Sequence, residues 1–150
     1  MPGLVVFRSG TRDDVAEVVA MLADDVLGRD RERGDLDLYL RAFDQMLTEG
    51  ANHLIVGDLN GMVVACYQIT FISGLSLGGM RRAQIEGVRV ATEMRGQKLG
   101  EALIADAEAR ARNAGCSILQ FTTSKSRQDA HRFYDRLGFT PSHIGYKKAL

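Results

Sequence analysis

The stretch with the clearest capacity for chemistry is Val88-Arg89-Val90-Ala91-Thr92-Glu93-Met94-Arg95-Gly96-Gln97-Lys98-Leu99-Gly100. A strand pattern there runs into a glycine-bearing turn and opens an amphipathic helix. Such a junction suits a phosphate. The first N–H groups of a helix have no intrahelical acceptor, they converge on one point, and the helix dipole adds about half a positive charge. Gly96 and Gly100 permit close approach to the backbone, and Arg95 and Lys98 bring two cations. A turn of this composition that serves only to connect strand and helix is equally compatible with the segment taken alone. The three histidines, His53, His131 and His143, show no metal-ligand spacing, so no metal site is expected from them.

Two segments carry a resemblance to a known family. Arg95-Gly96-Gln97-Lys98-Leu99-Gly100 is similar to the coenzyme turn of the Gcn5-related N-acetyltransferases (GNAT family). That signature is Arg or Gln, two residues, Gly, one residue, then Gly or Ala. Arg95 and Gly100 fit it, and Lys98 stands at the middle glycine position. Asp129-Ala130-His131-Arg132-Phe133-Tyr134-Asp135-Arg136-Leu137-Gly138-Phe139 resembles the family's helix that ends in Phe-Tyr, three residues and Gly-Phe.

The resemblance implies an enzyme that moves an acetyl group from acetyl-CoA directly to a primary amine. It implies that main-chain groups of Val88 and Val90 pair with the pantetheine arm, and that Arg95, Gly96, Gln97, Lys98, Leu99 and Gly100 cradle the pyrophosphate. It assigns Tyr134 as the acid for the departing thiolate, since a phenol of pKa about 10 is protonated at neutral pH. Packing along the face shared with Ala130, Phe133 and Leu137 is the competing role for that side chain. Glu86 is the candidate base, drawing a proton from the amine through water, with a solvated charge or a partner for Arg82 or Arg89 as the alternative. Strand alternation sets Glu86 on the same side as Val88, two residues on. The N–H of Val88, beside a bulge that Gly87 can accommodate, is expected to meet the carbonyl oxygen as it gains charge.

The string from Arg127 to Tyr134, with Ser142-His143 and the final Lys148-Ala149-Leu150, is similar to the bacterial aminoalkylphosphonate N-acetyltransferases. This second resemblance covers about the last quarter of the chain. It implies a small amine bearing an anionic group and leaves a divalent cation open as a cofactor. Arg127 suits a phosphate, phosphonate or carboxylate, and His131, three residues before Tyr134, is placed to line the acceptor side.

The elements that must position these residues follow from periodicity. Leu4 to Phe7 reads as a strand, and Thr11-Arg12-Asp13-Asp14 as a capping signal for a helix whose face is Val15, Val18, Val19 and Leu22, down to about Asp25. After a charged break from Gly28 to Gly34, a second helix uses Leu36, Leu38, Leu40, Phe43, Met46 and Leu47 and stops at Gly50. His53 to Asp58 and Met62 to Ile72 form a hairpin on Asn60-Gly61, the loop Ser73 to Gly79 follows, and Arg82 to Val90 is the next strand. A helix opens near Gly96 with Leu99, Leu103, Ile104, Ala107 and Ala111 on one side, then a strand from Ser117 to Thr122, a helix from Gln128 to Leu137, and an extended segment from Phe139 to Lys148. The expected α/β architecture is βααβββαβαβ, a mixed central sheet of six to seven strands flanked by about four helices, which agrees with the GNAT fold over one domain of residues 1–150.

Composition narrows the partners. In 150 residues, 19 Lys and Arg balance 19 Asp and Glu, which gives no reason to expect nucleic acid or an anionic membrane. No run approaches the ~20 apolar residues of a membrane span. The start of the chain lacks a signal-peptide pattern, and with two cysteines expected to be free, a reducing cytoplasm is the expected location. Leu75 and Leu77 in the loop Ser73 to Met80 fit either a homodimer contact or an acceptor lid. Two alternatives to a small-molecule acetyltransferase stay open: an acetyl-CoA-binding regulatory module with weak catalysis, motivated by Lys98, and an enzyme acting on a protein N-terminus or lysine.

Overall fold

The computed structural model describes residues 4–24, 32 and 35–150. Most of the break expected between Gly28 and Gly34 lies outside them, as do Asp25 and the first three residues. The chain divides into two compact units, Met1–Gln120 and Phe121–Leu150.

The first unit is built on a five-stranded sheet in the order β1-β2-β3-β4-β5: β1 Val6–Ser9, β2 Asn52–Leu59, β3 Met62–Ile72, β4 Arg82–Val90 and β5 Ile118–Gln120. The first four are antiparallel neighbours and β5 runs parallel to β4. The β2–β3 hairpin turns on Asn60 and Gly61, both at positive φ (52° and 90°), the pairing that a tight turn between twisted strands requires. The loop after β3 contains one short helical turn, Ser76–Gly79, with Leu75 and Leu77 exposed.

One face of the sheet carries α1 (Val15–Ala23), with α2 (Leu36–Thr48) beside it. Val18, Met21 and Leu22 of α1 pack on Leu54, Val56, Val63 and Cys66. The entry to α1 is a 3-10 turn, Arg12–Asp14. There the Asp14 carboxylate accepts from the Thr11 N–H (2.7 Å) and from Arg8 Nη1 (2.7 Å), while Arg8 Nε reaches Asp58 on β2 (2.9 Å). The apolar stripe expected of α2 is only partly used: Phe43 is buried, whereas Leu36, Leu38 and Leu47 are exposed.

The other face packs α3 (Leu99–Asn113), whose Leu99, Leu103, Ile104, Ala107 and Ala111 are all buried. Tyr67 projects from β3 into this layer, fully buried. Its hydroxyl donates to Asp106, which also accepts from Arg110 Nε at 2.8 Å, and Arg110 Nη2 continues to the Phe7 carbonyl of β1 at 3.1 Å.

The second unit holds α4 (Gln128–Arg136) and an aromatic cluster. Tyr134 lies 4.2 Å, centroid to centroid, from Phe121, 5.2 Å from Phe133 and 5.9 Å from Phe139. Phe139 to Lys148, expected as a final strand, forms no ladder, so the described sheet has five strands rather than six or seven. Pro141 removes a ladder donor there, and every side chain from Thr140 onward is exposed, Ile144 and Tyr146 included, so nothing in the described residues covers the segment's apolar positions.

Candidate active site

The C-terminal half of β4 is where the geometry concentrates. β3 and β4 pair as Ala65↔Val90 and Cys66↔Arg89, then as Gln68↔Glu86. Two steps on β3 thus match three on β4, which places a β-bulge at Gly87–Val88 opposite Tyr67. Gly87 has φ +59°, a conformation costly for a residue with a Cβ.

The bulge corrects the expectation for Glu86. Directly opposed residues of an antiparallel ladder share a face. Glu86 therefore shares the α1 side with Gln68 and Cys66, while Val88 and Val90 share the α3 side with Tyr67 and Ala65. Glu86 and Val88 do not point the same way, because the extra residue reverses the alternation between them.

One group contacts the bulge directly, and a second lies just before it on β4. Cys66 is buried, and its thiol sits 3.7 Å from the Gly87 carbonyl, in position to donate to it. Burial pushes that thiol up to about 12, well above neutrality, so it remains a protonated donor. Glu86 is exposed and accepts from Gln84 Nε2 at 2.8 Å, and Gln84 in turn accepts from Gln120 Nε2 at 2.9 Å. Neither Cys66 nor the glutamines had been singled out from sequence. Gln84 is marked by its spacing of two from Glu86, but Gln120 depends on the β4–β5 register, which no local pattern reveals.

β4 leads into a 3-10 turn, Thr92–Met94, anchored by Thr92 Oγ1 donating to Asp24 (2.9 Å), and then into Arg95-Gly96-Gln97-Lys98. Arg95, Gln97 and Lys98 are exposed, and Gly96 has φ +82°. Lys98 is the N-cap of α3 and adopts φ +59°, ψ +21°, the left-handed conformation that a glycine at this motif position takes without cost. No side chain caps α3. The leading amides, from Leu99 and Gly100 onward, thus keep their N–H groups for an outside acceptor. The β4–β5 ladder ends at Gln84↔Gln120, whereas β3 accompanies β4 as far as Val90.

The remaining sequence candidates lie in the second unit. Arg127 is the exposed N-cap of α4 and its N–H donates to the Ser124 carbonyl (3.1 Å). His131 is half-buried, with Nε2 at 2.8 Å from that same carbonyl, so the ring braces the turn before α4. Tyr134 is half-buried in the aromatic cluster. Among the described residues, no three His, Cys, Asp or Glu side chains gather as a metal site, and no helix is long and apolar enough to cross a membrane.

Comparison with known proteins agrees with this architecture. An aminoalkylphosphonate N-acetyltransferase of Salmonella typhimurium is 32% identical over 143 residues, 95% of this chain and 90% of that protein. A crystal structure from Bacillus halodurans, described as a transcriptional regulator, superposes with TM-score 0.92 at 44% identity, covering 97% of this chain and 99% of that one. A predicted acetyltransferase from Clostridium acetobutylicum, solved with acetyl-CoA, shares the fold at TM-score 0.73 and 15% identity over 96% of each chain. The family model for the acetyltransferase (GNAT) family matches residues 20–139. The chain is an acyltransferase and belongs to the GNAT family.

Proposed function

We propose that the protein transfers the acetyl group of acetyl-CoA to the primary amine of a small anionic molecule, with an aminoalkylphosphonate as the leading acceptor. The observation that carries the coenzyme half is the uncapped start of α3 behind Arg95, Gly96 and a left-handed Lys98, a cradle of N–H groups and cations suited to a pyrophosphate. The acceptor half is supported by the 32% identity to the Salmonella enzyme. The family match crosses the boundary between the two units, which favours one catalytic domain over residues 1–150.

Acetyl-CoA supplies an activated acyl group on a thioester. The chain must hold it, polarise it and manage protons. Arg95, Gln97, Lys98 and the amides of Gly96, Leu99 and Gly100 hold the phosphates, and the main chain of Val88 and Val90 aligns the pantetheine arm. The Val88 N–H, displaced from the regular ladder by the bulge, meets the carbonyl oxygen as negative charge grows on it. Glu86 takes a proton from the acceptor ammonium through water, so that a neutral amine attacks. Tyr134 returns a proton to the departing thiolate. Arg127 and His131 serve the anionic end of the acceptor. The described residues do not assemble a donor set for a divalent cation, and no step is assigned to one.

The test is thiol release from acetyl-CoA across a panel of amines. Turnover highest with aminoalkylphosphonates is expected; turnover confined to other amines would remove that acceptor, and a peptide N-terminus or lysine as best substrate would replace the small-molecule reading. Tyr134→Phe should lower kcat by about 10² or more with little effect on coenzyme affinity, and an unchanged kcat removes Tyr134 as the acid. The name of the 44%-identical Bacillus halodurans protein favours a second reading, a coenzyme-binding regulatory module. Tight acetyl-CoA binding without thiol release over the whole panel would select it. We place the protein in the cytoplasm, a reading supported by two unbonded thiols. Exposed Leu75 and Leu77 support a homodimer contact, to be checked by light scattering of the wild type and of a Leu75→Ser, Leu77→Ser variant.

A further inference from the structure

The α1 side of the sheet carries a row of amides and a hydroxyl at matched register: Asn52↔Thr70 on β2 and β3, Thr70↔Gln84 on β3 and β4, and Gln84↔Gln120 on β4 and β5. The row divides into two hydrogen-bonded groups. On one side Asn52 Oδ1 accepts from Gln68 (2.8 Å), and Asn52 Nδ2 donates to Glu49 (3.0 Å). On the other, Gln120 Nε2 donates to Gln84 Oε1 (2.9 Å) and Gln84 Nε2 donates to Glu86 Oε1 (2.8 Å).

We propose that Gln84 and Gln120 are positioning residues for Glu86, an amide relay that fixes one carboxylate oxygen and turns the other toward the water that serves the acceptor amine. The inference rests on the reading of Glu86 as the base. Both relay hydrogen bonds have unstrained lengths and point in one direction, so each donor polarises the next. An exposed glutamate otherwise samples several rotamers, and proton transfer needs the base within hydrogen-bond reach of one water. Gln84 lies two residues before Glu86, ahead of the bulge, and so shares its face. Gln120 is brought beside Gln84 by the parallel β4–β5 pairing.

Among the described residues, the charged groups facing Glu86 come from few elements. β4 itself contributes Arg82 and Arg89 on the same face, while β3 and β5 contribute neutral Gln68 and Gln120. From α1 and its C-cap, Glu17 accepts from the Val63 N–H (3.1 Å) and Asp24 from Thr92 (2.9 Å), and Val18, Met21 and Leu22 make apolar contacts with the sheet. Loss of the Gln84 donor frees the carboxylate to rotate among its rotamers, so it is aimed at the water for a smaller share of the time.

The experiment measures kcat and KM separately across pH for the wild type and for Glu86→Gln, Gln84→Leu, Gln120→Leu and Asn52→Ala, with circular dichroism to establish folding. Glu86→Gln should lose activity on the order of 10²-fold and abolish the acidic limb. Gln84→Leu should lower kcat about tenfold with KM little changed, Gln120→Leu should do the same to a smaller extent, and Asn52→Ala should leave kcat in place. An unchanged kcat in Gln84→Leu, while Glu86→Gln removes the acidic limb, overturns the relay and leaves the base intact. A limb that survives Glu86→Gln overturns the base and the relay together. An equal loss of kcat in Asn52→Ala also overturns the relay, since the effect would then belong to the whole polar face.

Discussion

Replacing Lys98 separates two contributions that one residue combines. Its backbone sits at φ +59°, where an L-residue pays roughly 1–2 kcal/mol, and glycine adopts that conformation freely. Glycine returns about 0.4–1 kcal/mol through greater freedom of the unfolded chain, so Lys98→Gly should stabilise the protein by about 0.5–1 kcal/mol. For a chain of 150 residues that corresponds to a rise in Tm of roughly 1–4 °C. Lys98→Ala keeps the strain and removes only the side chain, so it should stay within about 0.5 kcal/mol of wild type. Both variants lose the ammonium. If it meets a coenzyme phosphate at this exposed position, CoA should bind about two- to fivefold more weakly in both at low salt, with the difference shrinking as salt rises. Thermal unfolding and isothermal titration with CoA at two salt concentrations provide the readouts. Equal stability of the Gly and Ala variants would refute the strain argument. Unchanged affinity in both would refute the phosphate contact, and a loss in Gly alone would assign the effect to loop order rather than charge.

Three further outcomes follow from the packing. Hydrogen bonding to Arg8 lowers Asp14 from 3.8 to about 2, so its stabilisation, about 2 kcal/mol, is present above pH ~4 and lost as pH falls toward 2. Urea unfolding of Asp14→Asn should show that loss at neutral pH and a flatter dependence between pH 4 and 2; a wild-type pH profile would contradict it. Tyr67→Phe should cost about 1–2 kcal/mol, because the half-buried Asp106 carboxylate loses a donor, and chemical denaturation with a ΔΔG near zero would show that Arg110 alone satisfies it. Native-state alkylation followed by mass spectrometry should label Cys116 and spare Cys66, which is buried and held as a thiol; rapid labelling of Cys66 would contradict its role at the Gly87 carbonyl.

Much of this fold was legible along the chain because local signals and burial coincide. The bounds of β3 and β4, the Asn60-Gly61 turn and the five buried residues of α3 all follow from patterns within a few residues of one another. Where the sequence reading departed from the structure, the deciding term was nonlocal. Alternation put Glu86 and Val88 on one side, yet the β3 register inserts a residue between them. The leucines of α2 have the right spacing for a buried stripe, but the spacing does not say how much neighbouring surface is available, and only Phe43 is buried. The tail from Phe139 has strand-like residues and no paired ladder. The relay from Gln120 to Glu86 crosses 34 positions of sequence through a single parallel rung.

The bulge at Gly87 makes β4 serve two sides of the sheet with one continuous backbone. Upstream of it, Gln84 and Glu86 face α1; downstream, Val88 and Val90 face α3. Side chains on the upstream segment can therefore be exchanged without altering which way the downstream segment presents itself, so that, with the roles proposed above, acceptor preference and coenzyme capture are separable under selection. A single-residue deletion at Gly87 or Val88 would couple them again, because every side chain on one side of the deletion would then change face.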